Sequence, residues 1–487
     1  INLISKKDQK NDIEFNAATY YESVGQYNLD GRLGVRFNRH LLSLSGGRNY
    51  FDGWNDADEF FKFPKEAPAD SGRYREWNPK EQYFADVSYS LNFDKLTLRP
   101  YARYFHEKIT NRGFPRDTYQ EKAFDDYYFT ERFDKGLQSE IELNGANKIN
   151  FVAAHNYYER RKNTYNIDLT TLEQNFTENP EDQDTTSVAT WMSRAFWATG
   201  KPTNKVNFQM GYDVNNEIGT GKRIDDQKQS ILDAAGFVSF DYKPTHRFTL
   251  RPGLRYGYNS AYDMPFIPSV NARYQLSPFI FRASFAKGFR APSIKELYFD
   301  FVDVNHNIKG NPDLEAEYSN NYQFNLKWRN RKEQILKIVE IGTYYNDINN
   351  MIELSQQPTD SNELFYFNIG KHQTIGLQGN IILNWKNVTL TPGIAHIGRY
   401  NSFSESDDFN KFYYSTDVNA TLSYELPKWK SQFSCFYKYT GKLPGFSLGE
   451  NDEIVQTEIE DYHMLEISVT KPLYKDLIRT TVGGKNL

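Results

Sequence analysis

Period two dominates the chain. In Ile375–Lys386 one face carries Ile375, Leu377, Ile381, Leu383 and Trp385, and the other carries Gly376, Gln378, Asn380, Asn384 and Lys386, with Ile382 the apolar exception. Tyr83–Asp94 repeats the arrangement: Tyr83, Ala85, Val87, Tyr89, Leu91 and Phe93 oppose Phe84, Asp86, Ser88, Ser90, Asn92 and Asp94. Tyr322/Phe324/Leu326/Trp328 and Val418/Ala420/Leu422/Tyr424/Leu426 alternate with polar residues in the same way. Side chains of a strand point to opposite faces in turn, so strict alternation predicts strands with one apolar and one wet face. No apolar run exceeds four residues. That excludes membrane-spanning helices and the continuous Val/Ile/Leu runs of buried parallel strands.

The connections separate a barrel from a soluble sandwich, which would show the same alternation. Short ones include Asn38-Arg39-His40, Phe93-Asp94-Lys95, Lys243-Pro244-Thr245, Lys386-Asn387, Pro427-Lys428-Trp429 and Leu473-Tyr474-Lys475. Between them lie long polar segments: 51–80, 109–123, 161–184, 216–229, 289–315, 350–363, 400–410 and 441–456. One rim of tight turns and one of large loops is the pattern of outer-membrane barrels. The doublets Tyr127-Tyr128, Tyr157-Tyr158, Tyr344-Tyr345 and Tyr413-Tyr414 fall at the long-loop ends, where an interfacial aromatic girdle is expected. The expected fold is therefore all-β, a transmembrane antiparallel β-barrel. Parsing onward from Asp12–Gln26 gives about 21 strands, and an even-stranded barrel asks for one more, about 22, after Val482–Leu487. Ile1–Lys7 reads as a short strand before a charged linker, so the chain is expected to be a fragment of a longer precursor.

Composition sharpens this picture. Tyr (35) and Phe (36) are abundant, yet mean hydropathy is −0.74, as expected when apolar residues line only the outside of a barrel. The charges nearly balance, 58 Lys+Arg against 63 Asp+Glu, which argues against a nucleic-acid partner. The single cysteine, Cys435, excludes an internal disulfide and a Cys-cluster zinc site. It alternates with Phe433 and Tyr437 and is expected on the apolar face. There is no Gly-x-Ser-x-Gly or His-Glu-x-x-His pattern for a barrel enzyme, so none is expected.

The segment 285–319 reads FAKGFRAPSIKELYFDFVDVNHNIKGNPDLEAEYS. Its boxes Phe289-Arg290-Ala291-Pro292 and Asn311-Pro312-Asp313-Leu314 resemble the signature region of TonB-dependent outer-membrane receptors. Residues 1–7 resemble the last strand of that family's plug, and Gly484–Leu487 the approach to its final strand. The resemblance implies residues 1–11 as the end of a plug domain and linker, and 12–487 as the barrel. It also implies active uptake across the outer membrane of a Gram-negative bacterium. A ligand bound at the extracellular loops would be imported through a plugged barrel, driven by the proton-motive force through the inner-membrane TonB complex. The two boxes themselves read as structural staples at the ends of a surface loop, because Pro292 cannot donate to the ladder and Gly310–Asp313 is a turn cluster.

The ligand is less legible. His306 lies between the boxes, where haem receptors of the family carry a histidine, and a neutral imidazole suits haem iron. Tyr298, Phe299 and Phe301 would pack on a porphyrin. His372 has the parity of the polar, lumenal face. Arg73, Tyr74, Arg75 and Trp77 offer the chemistry expected of a ferric-siderophore site. The acidic segments 52–59 and 178–184 do not fit an ordered calcium-loop spacing. The expectation is thus an iron complex, haem ahead of a siderophore, with cobalamin, a passive porin and a barrel enzyme as alternatives. No intrinsic cofactor or firm metal site is expected. Partners would be the TonB complex, outer-membrane lipids and a ligand-delivering surface lipoprotein.

Overall fold

The computed structural model describes residues 9–62, 69, 71–116, 119–144, 146–201, 203–302, 307–332, 334–356, 364–401, 412–448, 454–474 and 477–487. Among them, 24 strands share one hydrogen-bonded sheet. Three are loop pieces of two or three residues, Gln174–Phe176, Phe301–Val302 and Asn307–Lys309. The other 21 are the wall of a β-barrel, each running antiparallel to its neighbours. The first predicted strand, Asp12–Gln26, is the shorter strand Ile13–Glu22 and its turn. Ile13–Glu22 turns at Ser23-Val24-Gly25 into Gln26–Phe37, with Gly25 at φ 90° closing the turn.

The alternation decides which side each residue faces. Leu377 is 57% exposed on the outer surface with Ile375, Ile381 and Trp385. The inner face is polar and paired: Arg103 Nε lies 3.1 Å from Asp86 Oδ1, and Asn156 Nδ2 donates to Asp134 Oδ1 at 3.0 Å. Cys435 stands opposite Leu422 and Ile467, both apolar-face residues, as its parity predicts. The tyrosine doublets obey the same rule, and it corrects their assignment to a girdle as pairs. Tyr414 points outward, while Tyr413 donates from its hydroxyl to Glu458 Oε1 at 2.9 Å. Only one ring of such a pair can face outward when side chains alternate.

Four strands exceed twenty residues: Lys122–Asn144, Asn147–Asp168, Ile335–Gln356 and Leu364–Trp385. At about 3.3 Å per residue each is roughly 70 Å long. A tilted strand needs only about 9–11 residues to cross the apolar layer. The sheet therefore stands well above that layer on the long-loop side. The two buried hydrophobic clusters found among the described residues lie at that end. One holds Ile231, Ile294, Leu297, Leu314 and Ile352, and the other Ala123, Ile167 and Leu169.

The chain enters along the inner wall. Gln9 is buried, its Nε2 donates to the Asn11 and Asp12 carbonyls at 2.8 and 3.0 Å, and its own carbonyl accepts from the Arg36 guanidinium. A side chain at Gly34 would overlap Gln9 Oε1, so glycine there makes room for the linker. The proposed plug strand, residues 1–7, lies outside the described residues. At the seam, Lys485 Nζ lies 2.6 Å from the Tyr20 hydroxyl and 3.7 Å from Glu22 Oε2. These contacts bring Ile13–Glu22 and Ile478–Gly484 within side-chain reach.

Candidate ligand site at the barrel mouth

The loop after Phe279–Arg290 folds inward as a small, well-fixed unit. Pro292 ends the ladder and is fully buried. Ser293 then caps a short helix, Ile294–Tyr298, through a capping box. Glu296 N–H donates to Ser293 Oγ at 3.3 Å, and Ser293 N–H donates back to Glu296 Oε2 at 2.8 Å. Ile294 and Leu297 are buried in the first apolar cluster.

Arg290 locks both ends of the loop. Its Nη1 donates to Glu296 Oε1 and Oε2 at 2.9 and 3.0 Å, and its Nε to Glu317 Oε2 at 2.8 Å. Only the planar guanidinium fork can serve two carboxylates in this way. Burial works against the charge on Glu296, but the Ser293 backbone and Arg290 outweigh it and hold that carboxyl below its ordinary value. The second box returns the chain. Asn311 Nδ2 donates to the Tyr366 carbonyl at 2.8 Å, and Asp313 N–H donates to Asn311 Oδ1 at 3.0 Å. The Tyr262 hydroxyl donates to the Leu314 carbonyl at 2.7 Å, and burial beside Tyr298 and Glu296 pushes that phenol up to about 12. Phe289 and Ala291 border a cavity of about 300 Å³ with Glu217, Asp233 and Arg255.

On the other side of the helix lies a lumenal cavity of about 340 Å³. Tyr128, Tyr158, Arg160, Lys162, Asp184, Thr186, Val188 and Glu217 line it from the wall, and Arg223, Ile224, Ile294, Lys295 and Phe299 from the loops. The wall residues share the inward parity of adjacent strands. Cations sit over rings: Arg160 Cζ is 4.9 Å from the Tyr128 centroid, and Arg132 Cζ is 5.3 Å from that of Tyr158. Two cations have acidic neighbours, with Lys162 Nζ 3.4 Å from Asp126 Oδ1 and Arg223 Nε 3.2 Å from Asp184 Oδ2. The second pair lacks hydrogen-bond alignment, since neither Arg223 Nε nor Asp184 Oδ1 has a hydrogen-bond partner. With Arg160, Lys162, Arg223 and Lys295 against Asp184 and Glu217, the lining has an excess of positive charge. That chemistry suits an anionic ligand bearing flat aromatic surfaces.

The predicted ligand residues are not gathered here. His306 lies outside the described residues. His372 faces the lumen on Leu364–Trp385 but does not line this cavity, and its Nδ1 is buried without a hydrogen-bond partner. Tyr298 packs on the apolar cluster, while its neighbour Phe299 reaches the cavity. Arg73 is removed from the ligand-facing set, because it forks onto Asp125 with two contacts of 2.7 Å and donates to the Gly113 carbonyl at 2.7 Å. The two side chains are 1% and 2% exposed. Arg75 is likewise turned inward, 3.7 Å from Asp58. Trp77 is half exposed on the loop, its backbone paired with Trp54. The acidic segments serve their own loops, for instance with Tyr50 donating to Asp52 and the Asn55 N–H to Asp58. Among the described residues no cluster of three or more metal-ligating side chains forms. Of the cavity's residues, only Phe299 is among the sequence-based candidates. The available signal was the spacing of Tyr158, Arg160 and Lys162, three consecutive inward positions of one strand.

Comparison with known proteins agrees with this architecture. The family described as TonB dependent receptor-like, beta-barrel matches residues 110–487. The chain belongs to that family and is an outer-membrane β-barrel. The siderophore receptor PirA from Acinetobacter baumannii superposes with a TM-score of 0.72 at 15% identity, covering 99% of this chain and 77% of PirA. The FrpB iron transporter from Neisseria meningitidis gives a TM-score of 0.69 at 13% identity over 98% and 77%. In sequence, the iron-regulated outer membrane virulence protein of Vibrio cholerae is 33% identical over 97 residues, 19% of this chain and 15% of that protein.

Proposed function

We propose that this chain is the barrel of an outer-membrane receptor for an anionic ferric chelate, imported past a plug by work transmitted from the TonB complex. The excess of cations interleaved with aromatic rings in the mouth cavity carries this reading. An iron(III) complex with several aryl-oxide donors is flat-sided and negatively charged, and Arg160, Lys162, Tyr128 and Tyr158 match both properties. The similarity to proteins named as siderophore and iron receptors supports the same class. Haem is the second reading and rests on His306 and His372. Its porphyrin would use the rings, but among the described residues the cavity lining holds no imidazole.

The test is a fluorescence-quenching titration of the receptor purified from outer membranes, with a ferric tris-catecholate, a ferric hydroxamate and haemin in parallel. Saturable binding of the catecholate is expected. It should weaken about tenfold or more in Arg160→Ala/Lys162→Ala, since two charge-assisted contacts are lost. Haemin binding that is lost in His372→Ala and indifferent to the arginine variant would replace this reading with haem.

A further inference from the structure

One long loop and four of the short turns carry opposite charge, Asp94, Glu333 and Asp476 being the acids of the remaining short turns. The loop 169–183 holds Glu173, Glu178, Glu181 and Asp182 and no Lys or Arg. The opposite rim has Lys201-Pro-Thr-Asn-Lys205, Lys243-Pro-Thr-His-Arg247, Lys386-Asn387 and Pro427-Lys-Trp-Lys430, with no acidic residue in any of the four. A net charge of −5 hides this polarity.

In three of these turns the cations stand beside outward aromatic side chains. Trp385, on the outer face, has Lys386 Nζ 5.7 Å from its ring centroid. Trp429 is 68% exposed at the tip of its turn, with Lys428 and Lys430 on either side. Tyr242 precedes Lys243 and stands opposite Val206 and Leu250 in the ladders. Rings at this level sit at the boundary between acyl chains and head groups, and flanking long cationic side chains reach outward to the head-group layer. Barrels of this kind place short turns on the periplasmic side.

We propose that the short-turn rim is a binding collar for anionic phospholipid in the inner leaflet of the outer membrane, with the lysines on lipid phosphates and the rings in the acyl boundary. A collar built to bind a soluble acidic partner would not need its cations tied to lipid-facing rings. Attraction of basic clusters to anionic leaflets is short-ranged and screened by salt.

The experiment uses receptor from outer membranes, reconstituted with brominated phosphatidylglycerol or brominated phosphatidylcholine, whose bromines quench tryptophans they touch. Quenching should show a preference for phosphatidylglycerol of about threefold that shrinks at high salt. It should approach equality in Lys201→Ser/Lys386→Ser/Lys428→Ser/Lys430→Ser and persist in Lys442→Ser on the other rim. Heat-dependent gel mobility confirms that each variant is folded. Equal quenching by both lipids in the unmodified receptor overturns the proposal. So does a preference that survives the fourfold variant, or one that Lys442→Ser abolishes equally. Iron-chelate binding is a separate readout, so the two proposals fail independently.

Discussion

At one rim, Leu364–Trp385 passes into Val388–Asn401 through Lys386 and Asn387 alone, and Lys386 takes φ 50°. At the other, Phe279–Arg290 and Glu317–Lys332 are joined through Ala291–Ala316, which carries a capped helix and an apolar cluster. The first connection is solved locally, because a two-residue hairpin needs the left-handed conformation and little else. The second is solved by tertiary contacts, since a loop that long must replace its lost ladder bonds and fix its own entropy. Specific recognition requires the second solution. A cavity lined from two sides needs a wall that stays put and a loop held against it.

The sharpest break in this comparison is at Arg73. Its partner Asp125 lies on Lys122–Asn144, and the pair is sealed from solvent. Arg73→Ala leaves a buried carboxylate unpaired, at a cost of about 3–5 kcal/mol. Hydrogen exchange should rise across 52–62, 71–79, 113–116 and 119–121, while the ladder below remains protected. Unchanged exchange there would show that the long loops do not depend on this pair.

Next comes the lock at Arg290. Arg290→Lys keeps a charge but cannot fork onto Glu296 and Glu317, and the loss of charge-assisted hydrogen bonds should cost about 2 kcal/mol. The same lock is pH-sensitive. Glu296 is held below its ordinary value in the folded loop. Its contribution is therefore complete above the unfolded carboxyl value, near 4.5, and is lost as pH falls through the lower folded value. Exchange at 293–300, corrected for its intrinsic pH dependence, should increase as pH falls below that value. In Glu296→Gln that extra increase should be absent.

This difference between rims also explains what could be read from the sequence. The strands were legible because alternation is local, and 21 long strands stand where about 21 were expected. The rim asymmetry followed from segment lengths alone. The helix at Ile294–Tyr298 has a readable start in Ser293-x-x-Glu296 but falls inside a segment whose length and polarity predict a loop. The cavity was not legible. Arg73 and Asp125 are 52 residues apart, and Tyr128, Arg160, Arg223 and Phe299 come from four separate segments. Nothing along the chain marks their convergence. Arg73 looked like a ligand residue for the same reason, since a guanidinium in a polar loop has no sequence signal for its partner.

The smallest effect belongs to the locally solved rim. Asn38 takes φ 51° between Gln26–Phe37 and His40–Phe51. Asparagine tolerates this conformation because its short side chain can bond nearby backbone groups, whereas a β-branched residue clashes with the adjacent carbonyl. Asn38→Gly should shift stability by no more than about 0.5–1 kcal/mol, relief of strain being offset by the extra freedom of glycine in the unfolded chain. Asn38→Val should cost about 1–2 kcal/mol. The temperature at which the folded gel mobility is lost ranks the three proteins. Neither change should alter iron-chelate binding, because the turn is joined to the mouth only through a ladder that both variants keep. A binding defect in Asn38→Val would mean that the rims are coupled along the strands, and that the two solutions are not independent.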